Sequence, residues 1–155
     1  MDLESLDIPM FKERYIDMTD PGILYVNISE ILALADGIIF ITPEYNSSIT
    51  PALKNLIDIY GRHGFGDKPI AIASVSTGKR GGITAAMHLQ QIVLSINGVL
   101  FPKILATGEV TETLDEKGNI INFSYKPIAE KFISGFINHV EAAQCTQSVL
   151  KRLTA

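Results

Sequence analysis

Two kinds of apolar pattern alternate along the chain. The first is a short run that is apolar at nearly every position: Gly37-Ile-Ile-Phe-Ile-Thr42, Ile70-Ala-Ile-Ala-Ser-Val75 and Val99-Leu-Phe-Pro-Lys-Ile-Leu-Ala106. Runs of this length, rich in β-branched residues and bounded by turn formers, predict strands covered on both faces. The second pattern is helical. Asn27 followed by Glu30 predicts a helix start, with Ile31, Leu32 and Ala35 as its inner face. Thr50-Pro51 supplies an N-cap and a first-turn proline. Leu53, Leu56, Ile57 and Tyr60 then share one face, and Gly61 and Gly64 are expected to end that helix. A third helix carries Ala85, Leu89, Ile92, Val93 and Ile96 and is closed by Gly98. A last one, from about Ser124 to Gln144, sets Ala129, Phe132, Ile133, Phe136 and Val140 inward. Residues 2–22 read as loop, with a turn at Asp20-Pro21-Gly22, and Asp115 to Asn119 as another turn. Pro102 inside the third strand predicts an edge position or a bulge.

Helix, strand, helix, strand, helix, strand, helix is the order of an α/β protein with a parallel sheet and helices on both faces. At 155 residues, 46% of them apolar, the chain is expected to form a single domain with a real core. Charge changes the picture only by exclusion. Thirteen basic and 17 acidic side chains leave a formal charge of −4, and the basic residues cluster no more densely than in pairs such as Lys79-Arg80, so no nucleic-acid footprint is expected. No run is long and apolar enough for a membrane span, and the acidic start Met1-Asp-Leu-Glu lacks the basic-then-apolar order of a secretory signal. The expected compartment is cytoplasmic. Cys145 is the only cysteine, which precludes an internal disulfide, and His63, His88 and His139 lack metal-ligand spacing. Each is expected to be structural.

Candidate chemistry lies in the two polar loops that follow the first two strands. In a parallel sheet both emerge at the carboxyl edge and can line one crevice. Pro43-Glu44-Tyr45-Asn46-Ser47-Ser48 offers an aromatic face, hydrogen-bonding side chains and the positive end of the helix that begins at Pro51. Ser76-Thr-Gly-Lys-Arg-Gly-Gly82 offers three glycines, which let backbone N–H groups approach a ligand, with Lys79 or Arg80 as positive charge. These features suit a planar ring with polar edges, but a plain turn and a solvated basic pair would leave the same pattern. The residues alone do not name a ligand.

Pro43-Glu44-Tyr45-Asn46, followed by Leu53-Lys54-Asn55-Leu56-Ile57-Asp58, Lys68-Pro69, and Ser76-Thr77-Gly78 with Gly81-Gly82, closely resembles the signature of the NAD(P)H-dependent FMN reductases. The resemblance extends to about residue 142. It implies a flavodoxin-like, three-layer α/β/α fold and FMN as cofactor, with NAD(P)H as hydride donor. It also implies a small-molecule electron acceptor: a quinone, an azo compound, a metal oxyanion or free flavin. By the same resemblance Pro43, Glu44, Tyr45, Asn46, Ser47, Ser76, Thr77 and Gly78 touch the flavin. No catalytic side chain is expected, because the flavin carries the chemistry. A homodimer or homotetramer is implied as well.

One part of the family pattern has no counterpart. Its opening strand and Gly-Ser-x-Arg-x-x-Ser phosphate loop match nothing before the signature strand, where Leu3-Glu-Ser-Leu-Asp-Ile-Pro9 resembles the family segment after its second strand. Residues 1–155 are therefore expected to form a flavodoxin-like domain incomplete at its N-terminal side, with three strands and an exposed apolar edge at 37–42. A second chain, or sequence upstream of Met1, would be needed to complete the sheet. Without the phosphate cradle, two or three charge-assisted hydrogen bonds of about 1.5–3 kcal/mol each are lost, and FMN is expected to bind weakly. A module that holds no flavin tightly, and a flavodoxin-type electron carrier, stand as the alternatives.

Overall fold

The structure is a computed structural model that describes residues 1–153, with side chains through residue 146. Three parallel strands, β1 (Ile38–Pro43), β2 (Pro69–Val75) and β3 (Val99–Thr107), form one sheet in the order β1-β2-β3. The helices are α1 (Ile23–Leu34), α2 (Pro51–Phe65), α3 (Ile83–Ser95), the single turn α4 (Val110–Thr113) and α5 (Lys126–Leu153). The fold is the expected three-layer, flavodoxin-like α/β/α arrangement.

The two faces of the sheet differ in depth. On one, Phe40, Ile70 and Ile72 meet α1, α2 and α3 in a single cluster that includes Ile28, Leu56, Ile57, Leu89 and Val93. On the other, Ala71 and Phe101 meet only Phe132 and Phe136 of α5, with Ile39, Leu105 and Val140 at the margin. The close approach of α5 to the start of β1 depends on Gly37, where a Cβ would fall 2.5 Å from Val140 Cγ2. Ile41, one step beyond Ile39 on the same face of β1, is 69% exposed. Ile133 and Ile137 of α5 are exposed too.

The two sheet edges also differ. β3 carries exposed Pro102 and Lys103 and a register shift against Ile70/Ile72, all of which discourage pairing with another strand. β1 pairs only with β2 among the described residues and has neither charge nor bulge between Ile38 and Thr42. The exposed apolar edge expected at 37–42 is therefore present.

Several local expectations are corrected. α1 begins at Ile23, not at Asn27: Gly22 is its N-cap, and its carbonyl accepts from Tyr25 N at 2.9 Å. Pro21-Gly22 breaks the chain early enough for a full extra turn to form. The buried residues of α1 are Ile28 and Leu32, whereas Ile31 is exposed and Ala35 is the C-cap. In α2, Gly61 kinks the helix at φ 42°, ψ −137°, and the helix resumes to Phe65. Gly64 is an approach point, since a Cβ there would fall 2.9 Å from Leu32 Cδ1 of α1. Residues 2–22 are loop except for a 3-10 turn at Tyr15–Asp17. Buried Asn55 of α2 holds this segment: its Oδ1 accepts from Phe11 N at 2.7 Å and its Nδ2 donates to Pro9 O at 3.0 Å.

Candidate functional site

β1 and β2 end side by side, with Pro43 opposite Val75, and β3 ends one strand over, with Thr107 opposite Val75. Both polar loops therefore leave the same edge of the sheet from adjacent strands. This is where a parallel sheet places a ligand crevice.

The first loop is a tight turn. Tyr45 N donates to Ser48 O at 2.9 Å and Ser48 N to Tyr45 O at 3.0 Å, while Asn46 and Ser47 between them take φ of 49° and 63°. Tyr45 is 57% exposed, and Asn46 and Ser47 are exposed beside it. The loop returns to the fold through Ile49, which is buried, and Thr50. Thr42, fully buried at the end of β1, anchors the base by accepting from Thr50 N at 3.4 Å.

Glu44 reaches from the first loop to the helix that follows the second. Its Oε2 accepts from Thr84 N at 3.1 Å and Ala85 N at 3.2 Å, so the carboxylate caps the N-terminus of α3. Pro43, half-buried, is the last residue of β1.

The second loop is tied down at its start. Ser76 N donates to Thr107 O at 3.0 Å, Val110 N to Ser76 O at 3.2 Å, and Gly78 N to Ser76 Oγ at 3.1 Å. Its glycines have separate roles. Gly81, at φ 60°, lies so close to the end of β3 that a Cβ would fall 2.7 Å from Ala106 C and from Gly108 N. Gly81 O accepts from the buried Ser74 hydroxyl at 2.7 Å. Gly81 and Gly82 are both buried and allow close packing within the protein. Gly78 is exposed, and a Cβ there would meet only Ser76 Oγ within 4 Å. Thr77, Lys79 and Arg80 are exposed around it.

The structure brings together exposed Tyr45, Asn46 and Ser47 from one loop and half-buried Ser76 with exposed Thr77 and Gly78 from the other as two rims at one sheet edge. Sequence reasoning missed the contact that holds the first loop from outside: His88 Nδ1 of α3 lies 2.8 Å from Ser48 Oγ. A signal was present, since His88 lies four residues beyond Thr84 and so shares its helix face.

Flavin chemistry can be tested against these residues. The ring end fits: an exposed aromatic face lies beside an open glycine backbone on adjacent strand ends. The phosphate end finds no free helix N-terminus here. In α2 the Thr50 hydroxyl accepts from Leu53 N at 3.3 Å, and in α3 the Glu44 carboxylate occupies the first turn. The positive end of α2, expected to favour a ligand, is thus already engaged by its own cap.

Comparison with known proteins agrees with this geometry. The profile of the NADPH-dependent FMN reductase family matches residues 1–112. A quinone reductase of Pseudomonas putida is 29% identical over 145 residues, covering 90% of this chain and 76% of its own length. An NAD(P)H-dependent FMN reductase of Pseudomonas aeruginosa is 30% identical over 79% of this chain and 69% of its own. Among solved structures, the flavoenzyme NAD(P)H:(acceptor) oxidoreductase FerB of Paracoccus denitrificans superposes with a TM-score of 0.77 at 23% identity, over 88% of this chain and 77% of that one.

Proposed function

Because the chain belongs to the NADPH-dependent FMN reductase family, we propose that it is an FMN-dependent NAD(P)H oxidoreductase that passes electrons to a small-molecule acceptor of the quinone or azo-compound class. The observation that carries this reading is the pair of loop rims, Tyr45-Asn46-Ser47 and Ser76-Thr77-Gly78, on adjacent strand ends at one sheet edge. When bound, FMN accepts a hydride from NAD(P)H and delivers its two electrons to the acceptor.

The protein's own part is to bind, orient and exclude. Tyr45 offers a face for the ring plane, and Asn46 and Ser47 offer polar groups at its margin. The open backbone at Gly78 and the hydroxyls of Ser76 and Thr77 serve the polar edge of the ring. Lys79 and Arg80 place positive charge beside a site that gains negative charge on reduction. The engaged N-termini of α2 and α3 support a reading in which the loops recognise the ring and groups outside the described crevice take the phosphate.

Residues 1–155 act as one flavodoxin-like domain whose sheet is open on the β1 side, and the unprotected edge favours a homodimer or homotetramer. Among the described residues no helix is long and apolar enough to cross a membrane. The proposed setting is the cytoplasm.

The test is NADPH oxidation with benzoquinone as acceptor, with and without added FMN. Oxidation that requires protein, FMN and quinone together supports the reading. Rates equal to those of the protein-free mixture would sink it.

A further inference from the structure

The Tyr45–Ser48 turn is closed by its two backbone bonds, but its central residues add nothing to hold its conformation. Asn46 and Ser47 both take left-handed φ, which Asn tolerates and Ser disfavours. Neither side chain makes a hydrogen bond within the turn. The compensation comes from α3. Glu44, just before the turn, bonds to the amides of Thr84 and Ala85, and Ser48, which closes the turn, bonds to His88 one helical turn further on. The turn is thus strapped to α3 at both ends while Tyr45, Asn46 and Ser47 stay exposed between the straps.

We propose that His88 is a positioning residue: through its Nδ1 bond to Ser48 Oγ it holds the strained turn in place, so that Tyr45 presents its ring to the flavin. The Ser48–His88 contact joins positions 40 residues apart in sequence, so it fixes the turn relative to the core and not merely to itself. It also leaves the second ring nitrogen of His88 uncommitted. The consequence for the cofactor rests on the FMN-dependent reading; the consequence for the turn does not.

The test uses the full chain, three single variants, His88→Leu, His88→Asn, whose amide reproduces the place of Nδ1, and Ser48→Ala, and the His88→Leu/Ser48→Ala double variant. The first readout is amide hydrogen exchange at Tyr45 and Ser48 in protein without FMN. The second is FMN affinity from quenching of flavin fluorescence. His88→Leu and Ser48→Ala should each speed exchange of the turn amides about tenfold and weaken FMN by a similar factor. The double variant should be no worse than either single one, and His88→Asn should restore both readouts to within about twofold of wild type. Exchange unchanged in both His88→Leu and Ser48→Ala, or losses that simply add in the double variant, would overturn the proposal. If His88→Leu fails to fold, Ser48→Ala breaks the same contact from the loop and decides the matter. If the wild type takes up no FMN, the functional reading fails while the exchange data still judge the strap.

Discussion

The two faces of the sheet, made by the same three strands, are supported very differently. On one face three helices close over Phe40, Ile70 and Ile72 in a continuous core. On the other a single helix covers β2 and β3 through Phe132 and Phe136 and leaves Ile41 of β1 largely in solvent. His139, on that helix against Phe101, has a buried Nε2 without a hydrogen-bond partner, a further sign of incomplete packing there. The difference teaches where stability and recognition lie. The deep face carries the fold and positions α2 and α3 behind the two loops. The shallow face and the β1 edge are surfaces still able to accept another element.

Mutations can break or sharpen this contrast. Leu89→Ala, in the fully buried centre of the deep face, should lose about 2–5 kcal/mol in urea denaturation. Ile137→Ala, half-exposed on the shallow side, should lose less than about 1 kcal/mol. Equal losses would mean that the faces are energetically alike.

Next in size is Tyr60→Phe on the deep face. Tyr60 OH donates to Tyr25 O at 2.8 Å, and removing it should cost about 1 kcal/mol. Burial, reinforced by neighbouring Tyr15 and Tyr25, holds the Tyr60 phenol well above its ordinary value. The folded protein therefore keeps this proton when the unfolded chain has released it. The stabilisation is complete below a pH of about 10 and declines as pH rises above that. Tyr60→Phe should flatten this decline, and an unchanged alkaline limb would refute the assignment.

Glu44→Gln keeps an acceptor at the start of α3 but removes its charge. A loss of about 0.3–1 kcal/mol is expected, detectable as a small fall in the urea midpoint. The smallest effect on stability belongs to Ile41→Lys, within about 0.5 kcal/mol of wild type. Its effect should fall on association: sedimentation velocity should show less self-association, as expected for an edge strand given a gatekeeping lysine. Unchanged association would mean that the β1 edge takes no part in any self-association.

Much of this was legible from the sequence where a pattern is local. The three strands announce themselves as uninterrupted apolar runs, Thr50-Pro51 starts α2 where expected, and Pro102 marks an edge. The misses share a different cause. Ile31 and Ile133 sit at positions whose periodicity points inward, yet the surface they would pack against is absent from the described residues, so they remain exposed. Gly64 was expected to end a helix but serves close approach between elements, as Gly81 and Gly82 also do, and such approach depends on tertiary neighbours. Glu44 entered as a flavin contact through the family resemblance, which carries no hint of its cap on α3. Its partner amides lie 40 residues away, and no local signal reveals that they claim the carboxylate.

The most direct measurement is a visible-absorption titration of the 155-residue chain with FMN and, in parallel, with riboflavin, which has the same ring and no phosphate. Ring recognition by the two loops, with both helix N-termini already capped, predicts saturable spectral shifts for both ligands and dissociation constants within about tenfold of each other. No spectral change with either ligand, or FMN bound more than about a thousandfold more tightly than riboflavin, would contradict it.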